Sequence, residues 1–199
     1  MSDGSDVLAP RAAGEFEEQG AGGDEERAAM KDKAVAILEQ NRVMAVATVR
    51  PDGWPQTTLV GYANEDILIY FMISRASQKF ENICRDDRVS IAIGADFHDP
   101  ATIKALSIAA HVSEVRDPKQ RSRAIELLTD RHPGLKRVQM PDDSHSAVMR
   151  AYPAIITILD YSKGFGHADQ LTMGPSGVAE MKATRADDWG YGSHLKHPG

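Results

Sequence analysis

The sequence predicts a mainly β fold (β plus α), in which six or seven antiparallel strands close into a barrel with helices at its periphery. Three observations predict it. Short β-type segments recur at 43–49, 55–62, 67–73, 88–95, 103–116, 153–161 and 165–173, several joined by tight turns, and strands joined that way pair antiparallel. Some of them, such as VMAVATV at 43–49, are apolar on both alternating faces; a closed sheet buries such faces and removes exposed edges. Strand and helix do not alternate regularly, as a doubly wound parallel sheet requires, and neither G-x-G-x-x-G nor G-x-x-x-x-G-K-[ST] occurs.

The elements follow in order. From Asp24, the apolar residues Met30, Ala34, Ile37 and Leu38 recur at three- and four-residue spacing up to a stop at Asn41, which predicts a helix. Pro51-Asp52-Gly53 supplies hairpin chemistry between the first two strands, and Ala63-Asn64-Glu65-Asp66 turns the chain into the third. A short helix is expected from Ser77 to Arg85, then the strand at 88–95. The long strand at 103–116 carries Leu106, Ile108, Ala110 and Val112 on one face. Asp117-Pro118 is an N-cap followed by proline at the first helical position, and His132-Pro133-Gly134 stops the helix near Arg131. Asp143 or Ser144 is read as the cap of another short helix through Arg150, ahead of the last two strands.

Charge divides the chain. Residues 1–27 hold eight acids and two bases, which accounts for the whole net charge of −6. That stretch is read as an acidic disordered tail, because it has too little apolar surface to offset the entropy of ordering. Residues 28–175 form the folded domain, and 176–199, which lose periodicity, are read as a C-terminal tail. The body balances acids and bases, which argues against nucleic acid as a partner. No apolar run approaches the roughly 20 residues of a membrane span. The N-terminus lacks a secretory pattern, so a cytoplasmic location is expected. One cysteine, Cys84, excludes an internal disulfide framework, and no cysteine cluster offers a zinc site.

The stretch ILIYFMISRASQKFENICR, residues 67–85, concentrates the chemistry. A buried strand runs into a helix whose N-cap would be Ser77, with Lys79 in the first turn and Arg75 just before. Free backbone N–H groups, the positive end of the helix dipole, hydroxyls and two cations would converge there, which suits a phosphate. The plainer reading is that Ser77 only caps while Arg75 and Lys79 are solvated. Thr57 and Thr58 on the neighbouring strand must point to opposite faces, so one hydroxyl faces the barrel.

With these residues in order, the chain resembles the pyridoxamine 5′-phosphate oxidase-like, FMN-binding split-barrel superfamily over roughly residues 30–173. The pieces that carry the resemblance are VMAVATVRPDGWPQTTLV, ILIYFMISRASQKFENICRDDRVSIAI and IKALSIAAHVSEV. It implies that Gln56, Thr57, Thr58 and Leu59 contact the flavin. It places Phe71 and Met72 beside the ring through their backbone, and Ser77, Gln78 and Lys79 at the phosphate, with Arg75 standing in for a family arginine. Lys104 matches a position that reaches the flavin from a partner subunit. A homodimer binding two FMN molecules at its interface is implied.

Departures from the family pattern narrow the activity. Gln56 and Gly61 stand where classical members carry basic residues at the ends of the hairpin strand. The substrate-binding Arg-Leu-x-Pro signature is absent from MKATRADDWGYGSHLKHPG. The resemblance therefore implies an FMN-dependent oxidoreductase with a small-molecule substrate other than the vitamin B6 phosphate, and no catalytic side chain stands out.

Three other readings stay open: a haem-binding or haem-degrading protein, a flavin-binding redox sensor without turnover, and the deazaflavin F420 in place of FMN. The haem reading rests on Gly164-Phe165-Gly166-His167-Ala168, which is similar to a Gly-Phe-Gly-x-Ala stretch of the haem-utilisation branch. There His167 would ligate iron; a glycine bend beside an exposed histidine is the simpler account. His111 in mid-strand reads as a satisfied core histidine rather than a ligand, and His194 and His197 fall in the tail.

Overall fold

The computed structural model describes residues 22–96, 98–137, 143–164, 166–174 and 177–184. The expectations for residues 1–21, Phe165 and 185–199, including His194 and His197, lie outside the described residues. In chain order the elements are α1 (Gly22–Gln40), β1 (Val43–Val49), β2 (Pro55–Glu65), β3 (Leu68–Ser74), α2 (Gln78–Arg85), β4 (Arg88–Gly94), β5 (Lys104–Glu114), α3 (Pro118–Arg131), β6 (Ser146–Asp160), β7 (Ala168–Gly174) and β8 (Gly177–Thr184). One antiparallel sheet runs β3-β2-β1-β4-β5-β6-β7-β8, and β3 also pairs with β6. Six strands thus close a barrel, and β7 and β8 extend it.

β6 makes closure and extension compatible. Along one edge it pairs with β5 from Met149 to Asp160. Along the other edge its first part, Ser146–Ala151, pairs with β3, and its later part, Ile155–Leu159, pairs with β7. The edge that β3 leaves is taken up by β7. Pro153, which cannot donate to a ladder, sits where the β5–β6 register shifts between Ala109 and Ala110. The barrel is filled by inward residues of alternating strands, among them Met44, Val46, Tyr62, Phe71, Ile91 and Ile108.

Several expectations need correction. The helix expected from Asp143 or Ser144 to Arg150 is strand: residues 146–151 pair with β3 and are nearly all buried, so pairing and burial on two sides override the local cap signal. Residues 177–184, read as tail, form β8 against β7 and pack on α1. Helix α1 already includes residues 22–27, which charge counting assigned to the acidic tail. Asp24 and Glu25 in its first turn complement the helix dipole. Finally, β2 runs on to Glu65, so the turn shrinks to Asp66-Ile67 with Asp66 at φ 55°, a conformation Asp tolerates better than most residues.

The caps form where the residues predict them. Asp117 accepts from the backbone N–H of Gln120 at 2.9 Å, and Ser77 from that of Phe80 at 3.3 Å. No helix among the described residues is long and apolar enough to cross a membrane.

Candidate cofactor-binding site

Helix α2 begins where β3 ends, and its start is arranged around Ser77. The Ser77 hydroxyl donates to the Ser74 carbonyl at 2.6 Å while capping Phe80, so it is spent on holding the turn. The backbone N–H groups of Gln78 and Lys79 have no acceptor among the described residues, as expected of the first helical turn. Lys79 makes no hydrogen bond or ion pair with the described residues, and burial pushes its ammonium below the usual lysine range. A partly desolvated cation with no anion beside it is an unsatisfied charge.

One turn further, α2 buries Asn82 completely against the barrel. Its Nδ2 donates to Thr48 Oγ1 at 2.9 Å and to Gln56 Oε1 at 3.1 Å, while its Oδ1 accepts from Gln78 Nε2 at 3.1 Å. Two residues predicted for the site, Gln56 on β2 and Gln78 on α2, are thereby tied to one buried side chain. Thr58 is the next inward residue of β2, opposite Val46, and its hydroxyl is buried without a partner. Among the described residues, an orphaned hydroxyl on β2 and an unpaired, partly desolvated ammonium in the first turn of α2 suit an anionic group such as a phosphate.

Thr57 and Leu59 point the other way, onto the outer face of the sheet, where Leu59 is 75% exposed. That face carries small or apolar side chains strand after strand: Leu59 opposite Ala45, Ala45 opposite Ala92, Ala92 opposite Ser107, Ser107 opposite Thr157. Between Val43, Leu59, Ala92, Ala105 and Leu159 it forms an open groove of about 460 Å³.

Other predicted residues fall elsewhere. Arg75, expected as a counter-charge for phosphate, instead pairs with Glu114, donates from Nε to the Asp143 carbonyl at 2.7 Å and lies over the Phe80 ring at 5.3 Å. The Glu114 hydrogen bond pushes its guanidinium even further up than usual. The reason is tertiary: β3 and β5 both pair with β6, which brings Glu114 at the end of β5 to Arg75 just after β3. Phe71 is fully buried in the core, leaving only its backbone for a ligand, and Met72 is half-buried. Lys104 is exposed at the start of β5, in register with Asp160 and on the parity of Leu106 rather than of Ala105.

Gly61 has a physical explanation. A Cβ there would sit 3.2 Å from the His132 ring, whose Nε2 lies 2.9 Å from the Tyr62 carbonyl oxygen. The imidazole occupies the space that a side chain on β2 would need. Gly164 at φ 141° and Gly166 at φ 78° give the expected glycine bend, and the His167 N–H donates to the Gly164 carbonyl at 3.0 Å. His167 is mostly buried, and its Nε2 is 2.9 Å from Asp169 Oδ1; Lys163 bonds the other oxygen at 3.0 Å.

Thr48, Glu81 and Asn82 were missed by sequence reasoning. The available signal was Asn82 itself, an amide beside Ile83 on the helix face that meets the barrel and three residues after Lys79.

The family described as Pyridoxamine 5′-phosphate oxidase matches residues 30–158. Among solved structures, a putative pyridoxamine 5′-phosphate oxidase from Listeria innocua is 24% identical, with 66% of this chain and 98% of that chain covered and a TM-score of 0.56. A heme binding protein from Mycobacterium smegmatis is 19% identical over 80% of this chain and 59% of that one, at a TM-score of 0.59. The heme storage protein HutZ from Vibrio cholerae is 20% identical over 61% and 88%, at a TM-score of 0.51. At these identities the structures share the fold. The closed six-stranded barrel, the divided edge of β6 and a match that spans more than half of the sequence lead to one conclusion: this chain belongs to the pyridoxamine 5′-phosphate oxidase-like split-barrel family.

Proposed function

We propose that the protein is an FMN-binding flavoprotein that works as an oxidoreductase in a homodimer, with the flavin phosphate at the start of α2 and its ring toward the outer face of the sheet. The observation that carries this reading is Lys79, a partly buried ammonium with no anionic partner among the described residues, one helical turn from Asn82, whose network reaches Gln56 on β2. A phosphate would satisfy the cation and the free N–H groups of Gln78 and Lys79 together. Bound flavin would supply the electron or hydride transfer; the chain's own residues bind, orient and exclude water. The outer face supports the second subunit: small, uncharged side chains run across β2, β1, β4, β5 and β6, and Val43, Val49, Leu59 and Ile155 are all exposed on it.

The experiment is the absorption spectrum of the purified protein followed by the Lys79→Ala variant. Flavin bands in the wild type and an FMN affinity lower by about tenfold or more in the variant are expected, since a hydrogen bond to a charged group contributes about 1.5–3 kcal/mol. Equal retention of FMN by Lys79→Ala would remove the phosphate site.

Haem is the second reading. The observation favouring it is His167, whose ring is oriented by a buried carboxylate, as ligating imidazoles commonly are. A sharp Soret band on adding haem, abolished in His167→Ala, would replace the flavin reading.

A further inference from the structure

The amide network at α2 has a direction, and that direction starts from a carboxylate. Gln78 Nε2 lies 3.0 Å from Glu81 Oε2 and 3.1 Å from Asn82 Oδ1. A carboxylate oxygen can only accept, so the Gln78 atom facing it must be the amide nitrogen. The Asn82 atom facing Gln78 must then be its oxygen, and Asn82 presents nitrogen on the other side, to Thr48 and Gln56. Gln56 accepts there with Oε1. Its own nitrogen is left pointing away from the network, with no partner among the described residues. Each amide could flip in isolation, but here the sense of each is set by the one before it.

We infer that Glu81, Gln78 and Asn82 form a polarity relay that turns the N–H₂ of Gln56 toward the anion at the start of α2. Asn82 is a positioning residue, and Gln56 is a recognition residue selective for the phosphate over the rest of the cofactor. The inference rests on the proposed phosphate site. Its physical sense is that Gln56, a neutral glutamine at the start of β2, is tied through Asn82 to the helix whose first turn holds Lys79; presenting its oxygen toward an anion there would add an acceptor where an anion needs donors. Because Asn82 is fully buried and bonded on both sides, reversing it breaks bonds at a side chain that water does not reach.

The test compares the binding of FMN, riboflavin and inorganic phosphate to the full-length wild type, Gln56→Met, Asn82→Asp and the double variant. Gln56→Met removes the donor without adding charge. It should weaken FMN and phosphate by about tenfold or more and riboflavin by less than about twofold, in line with one hydrogen bond to a charged group. Asp at position 82 is acceptor-only, so it demands N–H from both glutamines and turns the Gln56 oxygen outward. Its loss of phosphate affinity should be at least threefold larger with Gln56 present than in the Gln56→Met background, where only the added charge acts.

A measurement on the wild type alone covers the case in which Asn82→Asp fails to fold. The side-chain ¹⁵N–¹H₂ resonances of Gln56, assigned by their absence in Gln56→Met, should shift on titration with phosphate. Unchanged FMN and phosphate affinity in Gln56→Met, or Gln56 resonances indifferent to phosphate, overturns the relay while the cofactor reading stands. Phosphate binding without flavin binding overturns the cofactor reading and keeps the relay, and a wild type that binds neither overturns both.

Discussion

Thr58 and Asp160 show how differently two buried polar groups can be settled. The Thr58 hydroxyl is buried and unpaired, so the flavin-free protein should tolerate Thr58→Val at no cost, or gain up to about 1 kcal/mol, because an unsatisfied group is removed. The same variant should bind FMN more weakly. Thermal melts of the flavin-free protein and FMN titrations check the two signs together.

Asp160 is satisfied. Burial by itself would raise its pKa, but hydrogen bonds from Lys33 and Ser162 outweigh burial and hold it at about 2, below the ordinary 3.8. The folded value is the depressed one, so the stabilisation is fully present above about pH 4 and is lost as pH falls through about 2. Melting temperature against pH should therefore decline for the wild type below about pH 4. Asp160→Asn should start lower at neutral pH and decline less over that window. The Ser77 and Asp117 caps were legible from residue type and spacing; the state of Thr58 and Asp160 was not, since Val46 and Lys33 meet them from distant segments.

At the level of elements, two supports come from far along the chain. Helix α1 has no basic residue in its last turn, and Arg131 of α3 supplies one, its Nη2 sharing two N–H groups among the carbonyl oxygens of Leu38, Glu39 and Asn41, each 2.6 Å away. Arg131→Met should cost about 2 kcal/mol in urea unfolding, the loss of a charged donor to helix-end carbonyls. Strand β8 covers the edge of β7, pairing from Ala168–Thr184 to Gly174–Gly177. A chain ending after Gly174 should lose stability and aggregate through the uncovered edge, read by light scattering during a thermal ramp. Neither support was legible locally. Residues 177–184 lack a strong alternation, and residues 146–151 carry a helix cap signal that pairing with β3 overrides.

For the molecule as a whole, the outer face is where the proposed dimer would form. The row of uncharged side chains from Leu59 to Thr157 covers itself with a second copy in the proposed dimer, and Leu59 stands 75% exposed at its β2 end. Leu59→Arg should shift the protein to monomer in size-exclusion chromatography with light scattering. On the proposed reading, FMN retention should fall with it, because the ring side of the site borders that face. A dimer that survives Leu59→Arg unchanged would move the interface elsewhere.

Alternation and turn chemistry were enough to determine a closed antiparallel barrel with peripheral helices, and residue types at the end of β3 were enough to point to the start of α2. Both are readable because strand period, caps and turns act over a few residues. Tertiary structure decided what depends on partners far away in sequence: Glu114 claims Arg75, His132 occupies the space above Gly61, β3 turns residues 146–151 into strand, and Asn82 joins Gln56 to Gln78. Each of these is a contact energy between segments, and no local pattern encodes which segment will arrive.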